Sequence, residues 1–219
     1  MTKSNSHIAL LPGWGFSAAI LQPLAERLKN NYEVSLVELD DDKNILAQLP
    51  SRAVLIGWSL GGLLAIKLAH QYPDRFPKVI TIATNPCFIA NHNWPGVSPE
   101  NFMVFEKKLE NNPEKLLREF ALLQVGRHSY SAIEKFMIDR KLKSGLDMLK
   151  KTDHRELLKD FSKPLLFILG GDDKLVPSEI GEKIKLLNSR IKINIIKQAG
   201  HMPFLFKLDE TMASIHDFL

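Results

Sequence analysis

Apolar positions along this chain fall into two alternating rhythms. Short runs rich in isoleucine, valine and leucine recur at 7–13 (HIALLPG), 32–39 (YEVSLVEL), 52–57 (RAVLIG), 78–84 (KVITIAT), 164–171 (PLLFILGG) and 191–197 (IKINIIK). Several are apolar on successive residues, as strands buried on both faces of a parallel sheet must be. Between them, 18–30, 43–49, 60–72, 178–188 and 207–219 read as helices. This βαβα order predicts an α/β fold with an open, mostly parallel sheet and helices on both faces. In such a sheet, functional groups belong just beyond the carboxyl ends of the strands.

The rhythm breaks from 85 to about 162, where no convincing strand appears and several helices are expected. In SPENFMVFEKKL, Ser98 is a good N-cap and Pro99 suits the first helical position. Phe102, Phe105 and Leu109 then share a face. NPEKLLREFALLQ repeats the logic, with Asn112 and Pro113 ahead of Leu116, Leu117, Phe120 and Leu123. A third helix is expected over SAIEKFMIDRKL, bringing Ile133, Phe136 and Met137 together. Helix packing accounts for most of these stripes. Residues 85–162 are therefore expected to form a helical cap inserted after the fourth parallel strand. Residues 1–84 and 163–219 would form the core of the same domain.

Composition narrows the class without naming a function. The chain has 219 residues, 45% of them hydrophobic and 25% charged, as in an ordinary globular domain. No apolar run approaches the roughly 20 residues that span a bilayer, and the start lacks a secretory apolar region. The one cysteine, Cys87, cannot form an internal disulfide. A cytoplasmic protein is expected. The net charge of +4 and pI of about 9.1 are mildly basic. The basic residues are dispersed among acids and not interleaved with aromatics, so neither a nucleic-acid nor a membrane partner is expected.

The chemistry concentrates at Gly57-Trp58-Ser59-Leu60-Gly61, between a predicted strand and a predicted helix. That context is the one a nucleophile elbow requires, with Ser59 exposed on a tight turn and glycines where side chains would clash. A serine hydroxyl is a weak nucleophile, so a base must take its proton and a third group must orient the base. His201, in KQAGHMPF after the last strand run, is the candidate base. His7 opens a strand, His70 and His216 sit on helices, and His92, His128 and His154 lie in the insertion. Asp173, in LGGDDKLVP after the fifth run, is the candidate orienting acid. Asp172 competes with it, and spacing from the Val176-Pro177 turn favours Asp173. The order Ser, Asp, His is that of an α/β-hydrolase triad.

Acyl transfer also needs donors for an oxyanion. The main-chain N–H groups of Leu60 and of Trp14, in LPGWGF after the first strand, are the candidates. HExxH, CxxC and a tight His/Asp cluster are missing, as is a complete dinucleotide fingerprint, so no metal site and no cofactor is expected.

These residues resemble the α/β-hydrolase superfamily, and within it the carboxylesterases of biotin synthesis. The resemblance lies in LLPGWGF, IGWSLGGLLA, NPCFIANHNWPGV, FALLQ, GLDMLKKTDHREL, DKLVP and GHMPF. It implies an α/β-hydrolase fold and a serine hydrolase cleaving the methyl ester of a pimeloyl group on acyl carrier protein. By motif, Ser59, Asp173 and His201 would be the triad, and Trp14 and Leu60 would bound the oxyanion site. Phe120, Ala121, Leu122, Leu123 and Gln124 would line the substrate channel. An acidic carrier would meet basic residues of the cap, for which Arg127, Arg140, Lys141, Lys143 and Arg155 are available. Two departures stand out: Pro12 replaces the family's usual histidine, and the usual N-terminal antiparallel strands are expected to be missing. The same triad would serve a general short-chain carboxylesterase or an acyl thioesterase. A non-catalytic binding protein of hydrolase fold is the reading outside enzymes.

Overall fold

A computed structural model describes residues 7–125 and 129–219. Six strands form one sheet: β1 (His7–Leu11), β2 (Glu33–Leu36), β3 (Val54–Trp58), β4 (Val79–Ile82), β5 (Leu165–Gly170) and β6 (Lys192–Ile196). Their order is β2-β1-β3-β4-β5-β6, and every neighbouring pair is parallel. The order reverses between β1 and β3, which opens a crevice at the carboxyl edge where ligands bind in such sheets.

The successive apolar residues now have a physical reason. Along β1, Ile8 and Leu10 pack into one core while Ala9 and Leu11 pack into the other. Along β3, Val54, Ile56 and Trp58 share the core of Ile8 and Leu10, and Leu55 that of Ala9 and Leu11. Strands β1, β3, β4 and β5 are almost wholly buried. The edge strands β2 and β6 are partly exposed and carry the polar positions.

Helices α1 (Gln22–Leu28), α2 (Asp42–Gln48) and α3 (Leu60–Gln71) follow the first three strands. Nine residues of α3 are buried, which makes it an internal helix lying directly behind β3 and β4. Between β4 and β5 lie only helices among the described residues. These are α4 (Pro99–Asn111), α5 (Pro113–Val125), α6 (Tyr130–Ile133), α7 (Leu142–Lys151) and α8 (Arg155–Lys159). Ser98 Oγ accepts from the Asn101 N–H at the start of α4, and Asn112 Oδ1 accepts from Lys115 N–H at the start of α5. The last elements are α9 (Ile180–Leu187), α10 (Pro203–Phe206) and α11 (Leu208–His216). No helix among the described residues is long and apolar enough to cross a membrane.

The insertion departs from expectation after α5. A continuous helix over 131–142 does not form: α6 stops at Ile133, a single 3-10 turn covers Glu134–Phe136, and the backbone then extends. Residues 136–138 instead pair with the loop after β1. Ser17 N–H donates to the Phe136 carbonyl and Ile138 N–H to that of Gly15, each at 2.9 Å. Ile133 is buried, whereas Phe136 and Met137 are only half-buried. Tertiary pairing satisfies the backbone better here than another helical turn would. Leu123 also departs from its predicted stripe and is exposed, while Leu116, Leu117 and Phe120 are buried.

Several bonds pin the insertion to the sheet layer. Arg140 pairs with Glu38 at 2.9 Å, and Lys141 pairs with Asp40. At the start of α8, His154 N–H donates to the Pro86 carbonyl, and its ring Nε2 lies 3.1 Å from the Leu63 carbonyl of α3. Burial pushes the His154 imidazole below its ordinary value, outweighing the opposite pull of the Leu63 carbonyl. The unfolded chain therefore takes up this proton first as pH falls, and folding stability drops with it. Stability should decline on acidification through the ordinary imidazole range, about 6.5, and continue downward until the folded His154 is also charged. His154→Gln should flatten that decline. The check is the difference in urea midpoint between neutral and mildly acidic buffer for the two proteins; equal slopes would refute the assignment.

Candidate active site

The strand-to-helix junction is one residue long. β3 ends at Trp58, α3 begins at Leu60, and Ser59 between them adopts φ 54° and ψ −116°. An L-residue holds that backbone only when its surroundings over-determine it, at a cost on the order of 1–3 kcal/mol. Those surroundings are visible. Ser59 N–H donates to the Ile82 carbonyl of β4 at 2.9 Å. Its own carbonyl accepts from Gly62 N–H at 3.0 Å and from Thr84 Oγ1 at 3.1 Å. Any Cβ at Gly57 would strike the Gly61 carbonyl, and any at Gly61 the carbonyls of Leu11 and Pro12. Close backbone approach is the reason for both glycines.

Two other strand ends supply the partners. Asp173 lies just past β5, its Oδ1 accepting from the N–H groups of Leu175 (2.8 Å) and Val176 (3.1 Å). Its Oδ2 sits 2.7 Å from His201 Nδ1. Asp172, its competitor in the sequence, is exposed. Both Asp173 oxygens are thus committed, which orients the carboxylate. His201 lies on the loop after β6, reached through Gln198 in left-handed backbone (φ 56°), and is 2% exposed. A carboxylate at Nδ1 makes that nitrogen the donor and leaves Nε2 as the basic one. Among the described residues no hydrogen bond joins His201 to Ser59. Such contacts often tighten only when substrate is bound.

The loop after β1 completes the site. Gly15 takes φ 78°, and Trp14 is buried with its indole N–H donating to the Leu142 carbonyl at 2.8 Å. Neither the Trp14 nor the Leu60 main-chain N–H has a backbone acceptor among the described residues. Leu60 also heads α3, where the first N–H groups lack intrahelical partners and the helix dipole favours negative charge. Phe120 stands edge-on to Trp14 at 5.0 Å. Gly145 of α7 comes so close to Trp14 and Leu60 that a side chain there would collide with the indole. Beside them opens a cavity of about 730 Å³, walled by Trp14, Leu60, Leu64 and Met148 with Arg140 and Lys141 also among its lining residues. Burial pushes the Cys87 thiol up, which makes it a poor rival nucleophile.

Of the FALLQ residues, Phe120, Ala121 and Gln124 are buried, Leu122 is half-buried and Leu123 is exposed. The Gln124 carbonyl lies against Gly200, next to His201, and neither polar atom of its side chain has a partner among the described residues. The basic candidates scatter. Arg127 falls outside the described residues. Arg140 and Lys141 are paired as above, and Lys143 is largely exposed, 3.9 Å from Asp147. Arg155 is held by Asp153 and Asn91 and lies over the Trp94 ring. No group of three or more potential metal ligands gathers among the described residues. Sequence reasoning overlooked Thr84 and Gly145; a hydroxyl two residues past β4, level with the elbow, was the available signal for the first.

Comparison with known proteins agrees with this architecture. Residues 7–213 match the alpha/beta hydrolase family. The chain is 33% identical over 225 residues to the pimeloyl-[acyl-carrier protein] methyl ester esterase of Legionella pneumophila strain Corby, covering 97% of this chain and 94% of that one. It is 32% identical over 229 residues to the protein of the same name from Pectobacterium carotovorum subsp. carotovorum strain PC1, covering 92% and 89%. Among solved structures, a bromoperoxidase from Bacillus anthracis superposes with a TM-score of 0.85 at 20% identity, over 99% of this chain and 92% of that one. The enol-lactonase from Burkholderia xenovorans LB400 gives 0.83 at 17%, over 98% and 91%. At such identities the structural likeness shows the fold alone.

The Thr84 hydroxyl is a direct test of what holds the elbow. Thr84→Val keeps the shape, removes the donor to Ser59 and should cost about 1–2 kcal/mol of folding stability. Urea unfolding measures it, and an unchanged midpoint would show that the bond is idle.

Proposed function

The chain belongs to the alpha/beta hydrolase family and is a carboxylic ester hydrolase; from that premise we propose that it cleaves the methyl ester of pimeloyl-acyl carrier protein in biotin precursor synthesis, in the cytoplasm. Two observations support the chemistry: the strained backbone of Ser59, and an Asp173-bound His201 whose carbonyl accepts from the neighbouring Trp58. Support for the substrate comes from relatives of that name aligned along nearly the whole chain.

In this reading His201 Nε2 takes the proton of Ser59 Oγ as the oxygen attacks the ester carbonyl. The main-chain N–H groups of Trp14 and Leu60 hold the oxyanion, at a helix N-terminus that favours its charge. His201 then gives its proton to the departing methoxide, which leaves as methanol. A water deprotonated by His201 attacks the acyl-enzyme and frees the acid, regenerating Ser59. Asp173 keeps the imidazole in the right tautomer and stabilises its charged form.

Helices α4 to α8 act as a cap, 85–162, on a core of 1–84 and 163–219. Phe120, Ala121, Leu122 and Gln124 line the channel beneath it, while Leu123, exposed, does not. The Gln124 side-chain amide, without a partner among the described residues, supports that role, since a buried amide left alone is costly. The carrier meets basic residues of the cap, drawn from Arg127, Arg140, Lys141, Lys143 and Arg155. Lys143 is the most exposed charge of the four described.

Ser59→Ala should lower kcat on the order of 10⁶-fold, and Asp173→Asn about 10⁴-fold. Methanol release from pimeloyl-carrier methyl ester measures both. Competition against simple aryl esters tests the substrate. Equal or faster turnover of the free esters would sink the carrier assignment and leave a general esterase.

A further inference from the structure

We propose that Trp58 is a positioning residue that sets where His201 stands relative to Ser59; the inference rests on the triad reading above. The indole is 1% exposed and sits on the opposite face of the sheet from α3. Its Nε1–H donates to the His201 carbonyl at 2.9 Å, a bond spanning 143 residues of chain. Its ring packs against the His201 imidazole at 5.8 Å between centroids, Phe204 at 5.2 Å and Phe16 at 5.3 Å. On a further side, a Cβ at Gly13 would lie 3.0 Å from the six-membered ring.

One side chain thus touches all three parts of the site: the oxyanion loop through Gly13 and Phe16, the elbow through its own chain neighbour Ser59, and the base loop through His201 and Phe204. Asp173 fixes one edge of the imidazole and leaves the ring free to swing about that bond. A second fixed point is needed to place Nε2 at the serine, and the carbonyl of His201 itself is that point. The loop bearing it has no regular structure: it enters through left-handed Gln198 and leaves at Met202 into the single turn of α10. A buried carbonyl must find a donor, and here the donor belongs to the residue preceding the nucleophile. Any shift of β3 therefore carries Ser59 and His201 together.

Removing the donor should misplace the base without emptying the substrate channel. Trp58→Phe is expected to lower kcat by about tenfold or more, because the stranded His201 carbonyl is costly where it stands and draws the loop out of place, with KM nearly unchanged. The deciding measurement repeats this substitution in a His201→Ala background. A residue that acts through His201 should then cost nothing further, whereas a general packing defect would cost the same factor in both backgrounds. Equal losses, or an unchanged kcat in the single variant, would overturn the proposal. Should phenylalanine at 58 fail to fold cooperatively, benzothienylalanine at that position, with sulfur in place of the N–H, is read in its stead against the same criteria. A fully active His201→Ala would instead refute the triad reading, a separate result from failure at Trp58.

Discussion

A serine in backbone that serine avoids is the constraint around which this molecule is arranged. Ser59 can hold φ 54° only because β4 and the residues just after it lie directly beside it, Ile82 accepting its N–H and Thr84 donating to its carbonyl. That neighbour exists because β3 and β4 are in register, Trp58 opposite Ile82. The turn can be this tight only because Gly57 and Gly61 let strand, helix and the Leu11–Pro12 backbone approach without side chains. Strain on the order of 1–3 kcal/mol is small beside the burial of the four central strands on both faces, which is what holds the elbow shut.

The remaining chemistry is assembled from other strand ends. Asp173 follows β5 and His201 lies on the loop after β6, so the strand order brings both to the edge of the sheet that carries the elbow. Polar groups buried there are almost all satisfied: Asp173 by two main-chain N–H groups and an imidazole, His201 by Asp173 and Trp58. Among the described residues Gln124 is the exception: its side-chain amide has no partner, and its main-chain carbonyl lies against Gly200 in the loop that carries His201. The contrast separates groups that hold the site in shape from one with bonding capacity to spare.

The insertion is fastened where its geometry matters. Residues 136–138 pair with the loop that carries Trp14, and α7 rests Gly145 on Trp14 and Leu60. The Trp14 indole is tied to the Leu142 carbonyl at the head of the same helix. Helix α7 and the loop that carries Trp14 are therefore directly joined. Paired charges at Glu38–Arg140 and Asp40–Lys141 close the outer edge of that contact.

The sequence by itself determined the layer architecture, because burial on both faces forces successive apolar residues and burial on one stripe forces a period of 3.6. It also determined that Ser59, Asp173 and His201 stand at strand ends, since a strand run followed by Gly, Asp or Pro is a local signal. Only the tertiary structure decided that 136–138 would abandon helix for pairing with Gly15 and Ser17, that Leu123 would face solvent, and that Trp58 would reach the His201 carbonyl. Those outcomes depend on which loops the strand order brings together, and a residue's near neighbours carry no record of a partner 143 positions away.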